Sequence, residues 1–214
     1  MVGDANVVKE EDMATVKEHL NKPVISTTNG EKLGKIKDLY LDPKLTRVVA
    51  VYLGKKGVVR RKKRMIERDK VRTFGMDAWL VERGDVVVDW GQIVGSRDLV
   101  PSKQVRGRQI VSEGGTEIAT VEDIVLDGEC NVRGFSLAKM PASGPIAQRK
   151  AIALEAITSV GSKTSPMTTI LGKAESTEIG VPLHPAETKI PDQTGTPTGA
   201  GTSTGTGTST GTGA

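Results

Sequence analysis

The feature that most constrains this chain is that it repeats itself. Asn29-Gly30-Glu31-Lys32-Leu33-Gly34-Lys35-Ile36-Lys37-Asp38-Leu39-Tyr40-Leu41-Asp42 returns as Gly114-Gly115-Thr116-Glu117-Ile118-Ala119-Thr120-Val121-Glu122-Asp123-Ile124-Val125-Leu126-Asp127, with Gly30 and Gly115 85 positions apart. Asp38 aligns with Asp123 and Asp42 with Asp127. The apolar set Leu33, Ile36, Leu39, Leu41 aligns with Ile118, Val121, Ile124, Leu126. After a one-residue gap, Val48 to Leu53 matches Val132 to Leu137. A fold for this chain must therefore be one that the same short unit builds twice.

The unit reads as strands. Asn29-Gly30 and Gly114-Gly115 supply the positive φ of a tight hairpin turn. Val48-Val49-Ala50-Val51-Tyr52-Leu53 is rich in β-branched residues, which suit a pleated sheet better than a helix. Arg64 to Glu67, Ala78 to Glu82 and Asp85 to Asp89 are further short strands. From Leu33 to Leu41 the apolar spacing is first three, then two. A flat strand buries every second residue, so the phase slips between Gly34 and Asp38, and it slips at the same place in the second copy. A β-bulge or sharp bend accounts for that, and small barrels need such bends to close. Asp12 to Leu20 reads as a short helix with Asp12 as N-cap and Met13, Val16 and Leu20 on one face. Gly84 to Arg97 joins the copies. Ile179 to Pro191 is an extended lead-in, and from about Asp192 the chain is Gly, Thr and Ser, which bury too little apolar area to offset the entropy of ordering.

Lys22-Pro23-Val24-Ile25-Ser26-Thr27-Thr28-Asn29-Gly30-Glu31-Lys32-Leu33-Gly34-Lys35-Ile36-Lys37-Asp38-Leu39 resembles the opening of a PRC-barrel domain: an apolar strand, a Gly-containing turn, then Leu-Gly-x-Val/Ile-x-Asp. Met65 to Ala78 resembles its closing strands, with Glu67 where the family usually has proline. In the second copy Ala119 replaces the glycine and Ile152 to Gly161 is only loosely similar. The resemblance covers roughly residues 20–170. The family includes the cytoplasmic domain of the photosynthetic reaction-centre H subunit and the C-terminal domain of a ribosome maturation factor. It implies a small six-stranded barrel that binds macromolecules and performs no covalent chemistry. The expected architecture is all-β: two tandem PRC-like barrels, a short N-terminal helix and a disordered C-terminal tail. The expected boundaries are 1–12 (flexible), 13–90 (first barrel), 91–178 (second barrel) and 179–214 (tail).

Composition narrows the chemistry. Aromatic residues are only 3% of the chain, so a core must be Val, Ile and Leu, and a large aromatic-lined cleft is not expected. One cysteine, Cys130, makes neither an internal disulfide nor a cysteine zinc site; it reads as a passive small residue. His19 and His184 lie in different segments, so no histidine metal site or triad is expected. Asp38 with Asp123, and Asp42 with Asp127, read as carboxylates that accept backbone hydrogen bonds near turns. No catalytic, cofactor or metal residues are expected.

The sharpest local feature is basic. Lys55, Lys56, Arg60, Arg61, Lys62, Lys63, Arg64, Arg68, Lys70 and Arg72 meet only Glu67 and Asp69 in their own stretch. The run is expected on a hairpin loop, where it neutralises phosphates on RNA or lipid headgroups, or simply solvates the surface. No aromatic residue inside it offers a base-stacking platform. Trp79 and Trp90 are core or rim residues, and mark a protein contact if exposed. A protein partner is the first expectation, RNA or an anionic membrane surface the alternative. Self-association stays open, and no small-molecule substrate is expected. The N-terminus has no apolar signal core and no stretch reaches spanning length, so the chain is expected in the cytoplasm, or peripheral at the inner membrane face.

Overall fold

The computed structural model describes residues 13–56, 62–139, 146, 148, 150–177 and 179. All of these lie within one compact unit, Met1–Pro182. The first copy opens with β1 (Ala14–Thr15) and α1 (Val16–His19), followed by β2 (Pro23–Ser26), β3 (Lys32–Lys35), β4 (Asp38–Leu41), β5 (Val48–Lys56), β6 (Lys62–Glu67), β7 (Val71–Phe74), β8 (Trp79–Val81) and β9 (Val88–Asp89). The second repeats the order with β10 (Val100–Pro101), α2 (Ser102–Val105), β11 (Gln109–Ser112), β12 (Glu117–Leu126), β13 (Val132–Ala138), β14 (Ala151–Ala153), β15 (Ile157–Ser159) and β16 (Met167–Thr169), and adds α3 (Leu171–Ser176).

The pairing repeats as faithfully as the sequence. The β2–β3 turn holds Gly30 at φ +70°, and the β11–β12 turn holds Gly115 at φ +81°, where a side chain would be strained. β2 runs parallel to β8 through Val24 and Trp79, as β11 runs parallel to β16 through Ile110 and Met167. β4 pairs β5 and β5 pairs β6, as β12 pairs β13 and β13 pairs β14. The expected phase slip is present in both copies. In the first, the chain leaves the ladder at Ile36 and Lys37 between β3 and β4; in the second, β12 runs on but its register against β13 shifts between Val121 and Asp123. The slip lets Leu33, Ile36, Leu39 and Leu41 all reach the core despite their uneven spacing. β4 is buried on both faces, because Tyr40 packs into a second cluster with Ala50, Met65 and Ile93. The strands form open sheets of seven, five and four members; no closed hydrogen-bonded ring joins the described strands.

The two copies are interlocked. β1, which opens the first copy, pairs with β12 of the second (Ala14 opposite Leu126, Thr15 opposite Val125). β10, which opens the second, pairs with β4 of the first (Val100 opposite Leu41, Pro101 opposite Tyr40). These are equivalent contacts, since Leu41 and Leu126 are equivalent positions. Between them the Val48 amide donates to the Cys130 carbonyl (3.0 Å) and the Val132 amide to the Thr46 carbonyl (2.8 Å), flanking a bridge of Arg47 with Asn131. One apolar cluster runs through both copies, from Val16, Leu41 and Trp79 to Val105, Leu126 and Phe135.

The equivalent aspartates secure the exchange. The Ser102 hydroxyl, at the start of α2, donates to Asp38 Oδ1 at 2.6 Å. The Lys17 amide, at the start of α1, donates to Asp123 Oδ2 at 2.8 Å. Each carboxylate thus binds the first turn of the helix from the other copy, Asp123 by accepting a leading amide that lacks an intrahelical acceptor and Asp38 by accepting the Ser102 hydroxyl. Burial pushes the Asp123 carboxyl up, partly offset by the Lys17 and Ile124 amides and by Arg106, whose Nε lies 3.6 Å from Asp123 Oδ1.

Three expectations need correction. The helix expected over Asp12 to Leu20 is a single turn, Val16–His19, because Ala14 and Thr15 are drawn into the β12 ladder. Thr15 is its N-cap and Glu18 completes a capping box; Asp12 lies outside the described residues. The strand expected over Asp85 to Asp89 is a 3-10 turn, Gly84–Val86, followed by the two residues of β9. The basic run is not confined to a loop: Lys55 and Lys56 end β5, and Lys62, Lys63 and Arg64 open β6. The flexible stretch expected at 1–12 lies outside the described residues, as does the expected tail apart from Ile179.

Candidate functional site

β5 and β6 carry the basic residues to one end of their hairpin and set them against each other. Lys55 lies opposite Lys63 and Lys56 opposite Lys62, with Gly54 opposite Arg64. Directly opposed like charges on a sheet are destabilising. Partners from elsewhere relieve part of this. Lys62 Nζ meets Asp89 Oδ2 on β9 at 2.7 Å, a hydrogen bond that raises the lysine's pKa. Lys63 Nζ sits 4.7 Å from the centre of the Trp90 ring. Arg64 Nη2 donates to the Leu33 carbonyl at 2.8 Å, tying the hairpin base to β3. The acidic partner of Lys62 therefore comes from a two-residue strand outside the run, while Arg68 faces Asp69 at 3.5 Å and Arg72 pairs with Glu82 at 2.7 Å. Arg60 and Arg61 lie outside the described residues.

The two tryptophans separate. Trp79 has no exposed surface and is a core residue, so it offers nothing to a partner. Its ring packs edge-on against Phe74 (4.8 Å) and His19 (5.3 Å), and its indole N–H donates to His19 Nδ1 at 3.2 Å. Trp90 is half-buried, tilted against Tyr40 at 4.8 Å with Lys63 over its face.

Asp42 and Asp127 organise their own turns. Asp42 Oδ1 accepts the amides of Thr46 (2.6 Å) and Arg47 (2.9 Å); Asp127 Oδ1 accepts those of Glu129 (3.0 Å) and Asn131 (2.8 Å). Cys130 follows at φ +61°, fully buried, with its thiol pushed up to about 12 by burial.

A cleft of about 730 Å³ was not foreseen. It opens beside the exchanged segment, between His19 and Lys22 on one side, Arg68 and Phe74 on another, and the turn at Gly128. Its signal in the sequence was a disagreement between the copies rather than an agreement. When the paired elements of the two copies are matched, His19 occupies the position of Val105, Arg68 that of Leu154, and Trp79 that of Met167. The fold is satisfied by apolar residues at these places in the second copy.

The body is all-β, two interlocked copies of one strand unit with a charged hairpin at one end. Residues 11–100 match the family model for the PRC-barrel domain, and the chain carries a PRC-barrel domain there. No curated protein matches the chain. The match ends as the second copy begins, although β11 to β16 pair in the order of β2 to β8.

Proposed function

We propose that this chain is a non-enzymatic binding or assembly module that engages an acidic protein surface through the basic hairpin of β5 and β6. The observation that carries this is the opposition of Lys55 to Lys63 and of Lys56 to Lys62. The arrangement costs the isolated fold stability, and an anionic partner would recover it. The interlock supports the reading, because it makes both copies one body against which a partner can be registered. The choice of protein over single-stranded RNA rests on Trp90. Its ring is occupied by Tyr40 and Lys63, so it is not open for bases to stack on.

The test is quantitative co-purification from the native source, with nuclease treatment, comparing the natural chain with a variant carrying Ser at Lys55, Lys56, Arg60, Arg61, Lys62 and Lys63. The proposal expects a protein enriched by the natural chain alone and released by salt. Enrichment abolished by nuclease points to RNA instead, and flotation with anionic vesicles points to a membrane; either result refutes a protein partner.

A further inference from the structure

One place on this chain carries opposite charge in the two copies. On the second copy, Lys17 of α1 pairs with Glu122 of β12, Nζ to Oε1 over 3.2 Å. The exchange of arms builds the same place on the first copy. β10 meets β4 as β1 meets β12, so α2 follows in the register of α1 and Lys103 corresponds to Lys17. With Asp38 matched to Asp123, Lys37 corresponds to Glu122. The Ser102 hydroxyl on Asp38, at 2.6 Å, ties together the immediate neighbours of Lys103 and Lys37. What is Lys against Glu on one copy is therefore Lys against Lys on the other.

Lys37 and Lys103 are both exposed, and among the described residues no carboxylate pairs with either. Lys37 Nζ has only a neutral partner, Asn21 Oδ1 at 3.3 Å. Two cations in the register of an ion pair repel, and the second copy shows that the fold accepts a carboxylate at this position. The strand before it repeats the contrast, since Lys32 and Lys35 stand where the second copy has Glu117 and Thr120.

This pair continues the basic hairpin. The Lys37 amide donates to the Tyr52 carbonyl on β5 at 2.8 Å, and its side chain passes over Gly54, Cγ lying 3.8 Å from where a Cβ would stand. Gly54 precedes Lys55 and lies opposite Arg64, which is itself bonded to the Leu33 carbonyl on β3. The basic surface thus runs from the hairpin, past Lys37, to a helix that belongs to the second copy.

We propose that the footprint of the acidic partner continues from the hairpin across Lys37 to Lys103, so that one acidic protein surface touches both copies at once. This rests on the hairpin being the partner's site, and adds that the partner's carboxylates form a strip rather than a single cluster. Lys103 reaches the first copy only on the exchanged arm, so the partner recognises the interlocked body and not one strand unit.

The full chain is titrated with poly-L-glutamate at low salt, by calorimetry and by backbone amide shifts. Saturable binding that moves the amides of Lys37 and Lys103 together with those of Lys55 and Lys63 is expected. Lys103→Gln should weaken binding about threefold, as loss of one exposed charge contact does, and Lys37→Glu about tenfold, because it reverses a charge and engages Lys103 as Glu122 engages Lys17. Lys37→Glu should melt no lower than the natural chain, which shows that it folds. Unchanged binding in both variants, with binding lost in Lys55→Ser with Lys63→Ser, overturns the strip and leaves the hairpin site standing. No saturable binding by the natural chain, or binding that survives the hairpin variant, overturns the hairpin site and the strip with it.

Discussion

Replacing Ser102 by Ala tests whether the two copies are locked by their equivalent aspartates. Ser102 is fully buried and Asp38 nearly so, and the hydroxyl donates to Asp38 Oδ1 over 2.6 Å. Removing it leaves that oxygen only the adjacent Leu39 amide at 3.0 Å, while Oδ2 already lacks a partner. It also strips Arg106 Nη2 of the hydroxyl it reaches at 3.3 Å. A hydrogen bond to a charged group contributes about 1.5–3 kcal/mol, so Ser102→Ala should cost about 2 kcal/mol. For a body of this size that is about 4–8 °C in Tm. Urea melts followed by circular dichroism measure the cost, and a cycle with Asp38→Asn should return a coupling of about 1–2 kcal/mol. Because the bond joins different copies, the variant should still melt in one transition at lower urea. A loss under about 0.5 kcal/mol is within the range of an ordinary surface change. That result, or two separate transitions, would refute the reasoning.

Acid should act through His19. Its folded pKa of about 4 lies below the ordinary 6.5, so as the pH falls from 7 towards 4 the unfolded chain takes up the proton first. Stability is full above the ordinary value and lost across that window, by on the order of 3 kcal/mol; His19→Val should flatten this part of the pH profile in urea melts. Cys130, buried with a thiol near 12, should resist a thiol-reactive chromogen at pH 8 until denaturant unfolds the chain. Lys55→Glu places opposite charges across the β5–β6 ladder from Lys63 and should stabilise the chain by about 0.2–1 kcal/mol in melts. The same change should weaken capture of the partner.

Much of this fold was readable from the residues because the duplication filters noise. Two glycine turns and two phase slips at matched positions identify strands, a turn and a bend more firmly than any single window. The exchange was not readable. Ala14–Thr15 and Val100–Pro101 are two-residue strands, too short to carry a period, and both pair with residues far along the chain. For the same reason Asp89, on an equally short strand, was not foreseen as the partner of Lys62. Trp79 could not be assigned to core or surface, since a tryptophan in a short strand suits either; its parallel pairing beside Val24 decides it. The cleft joins His19 to Gly128, more than a hundred residues away, and becomes visible only when the copies are compared for what they do not share.

The crossed pairing of β1 and β10 has an ancestral corollary. A chain holding a single unit would have the same opening arm and the same receptive strand, and could satisfy both only by trading arms with a twin molecule. Linking the two in one polypeptide makes that embrace independent of dilution. It also frees the halves from having to stay identical. One half could then settle into Val105 and Met167 while the other acquired His19 and Trp79, a specialisation closed to a pair encoded by one shared sequence.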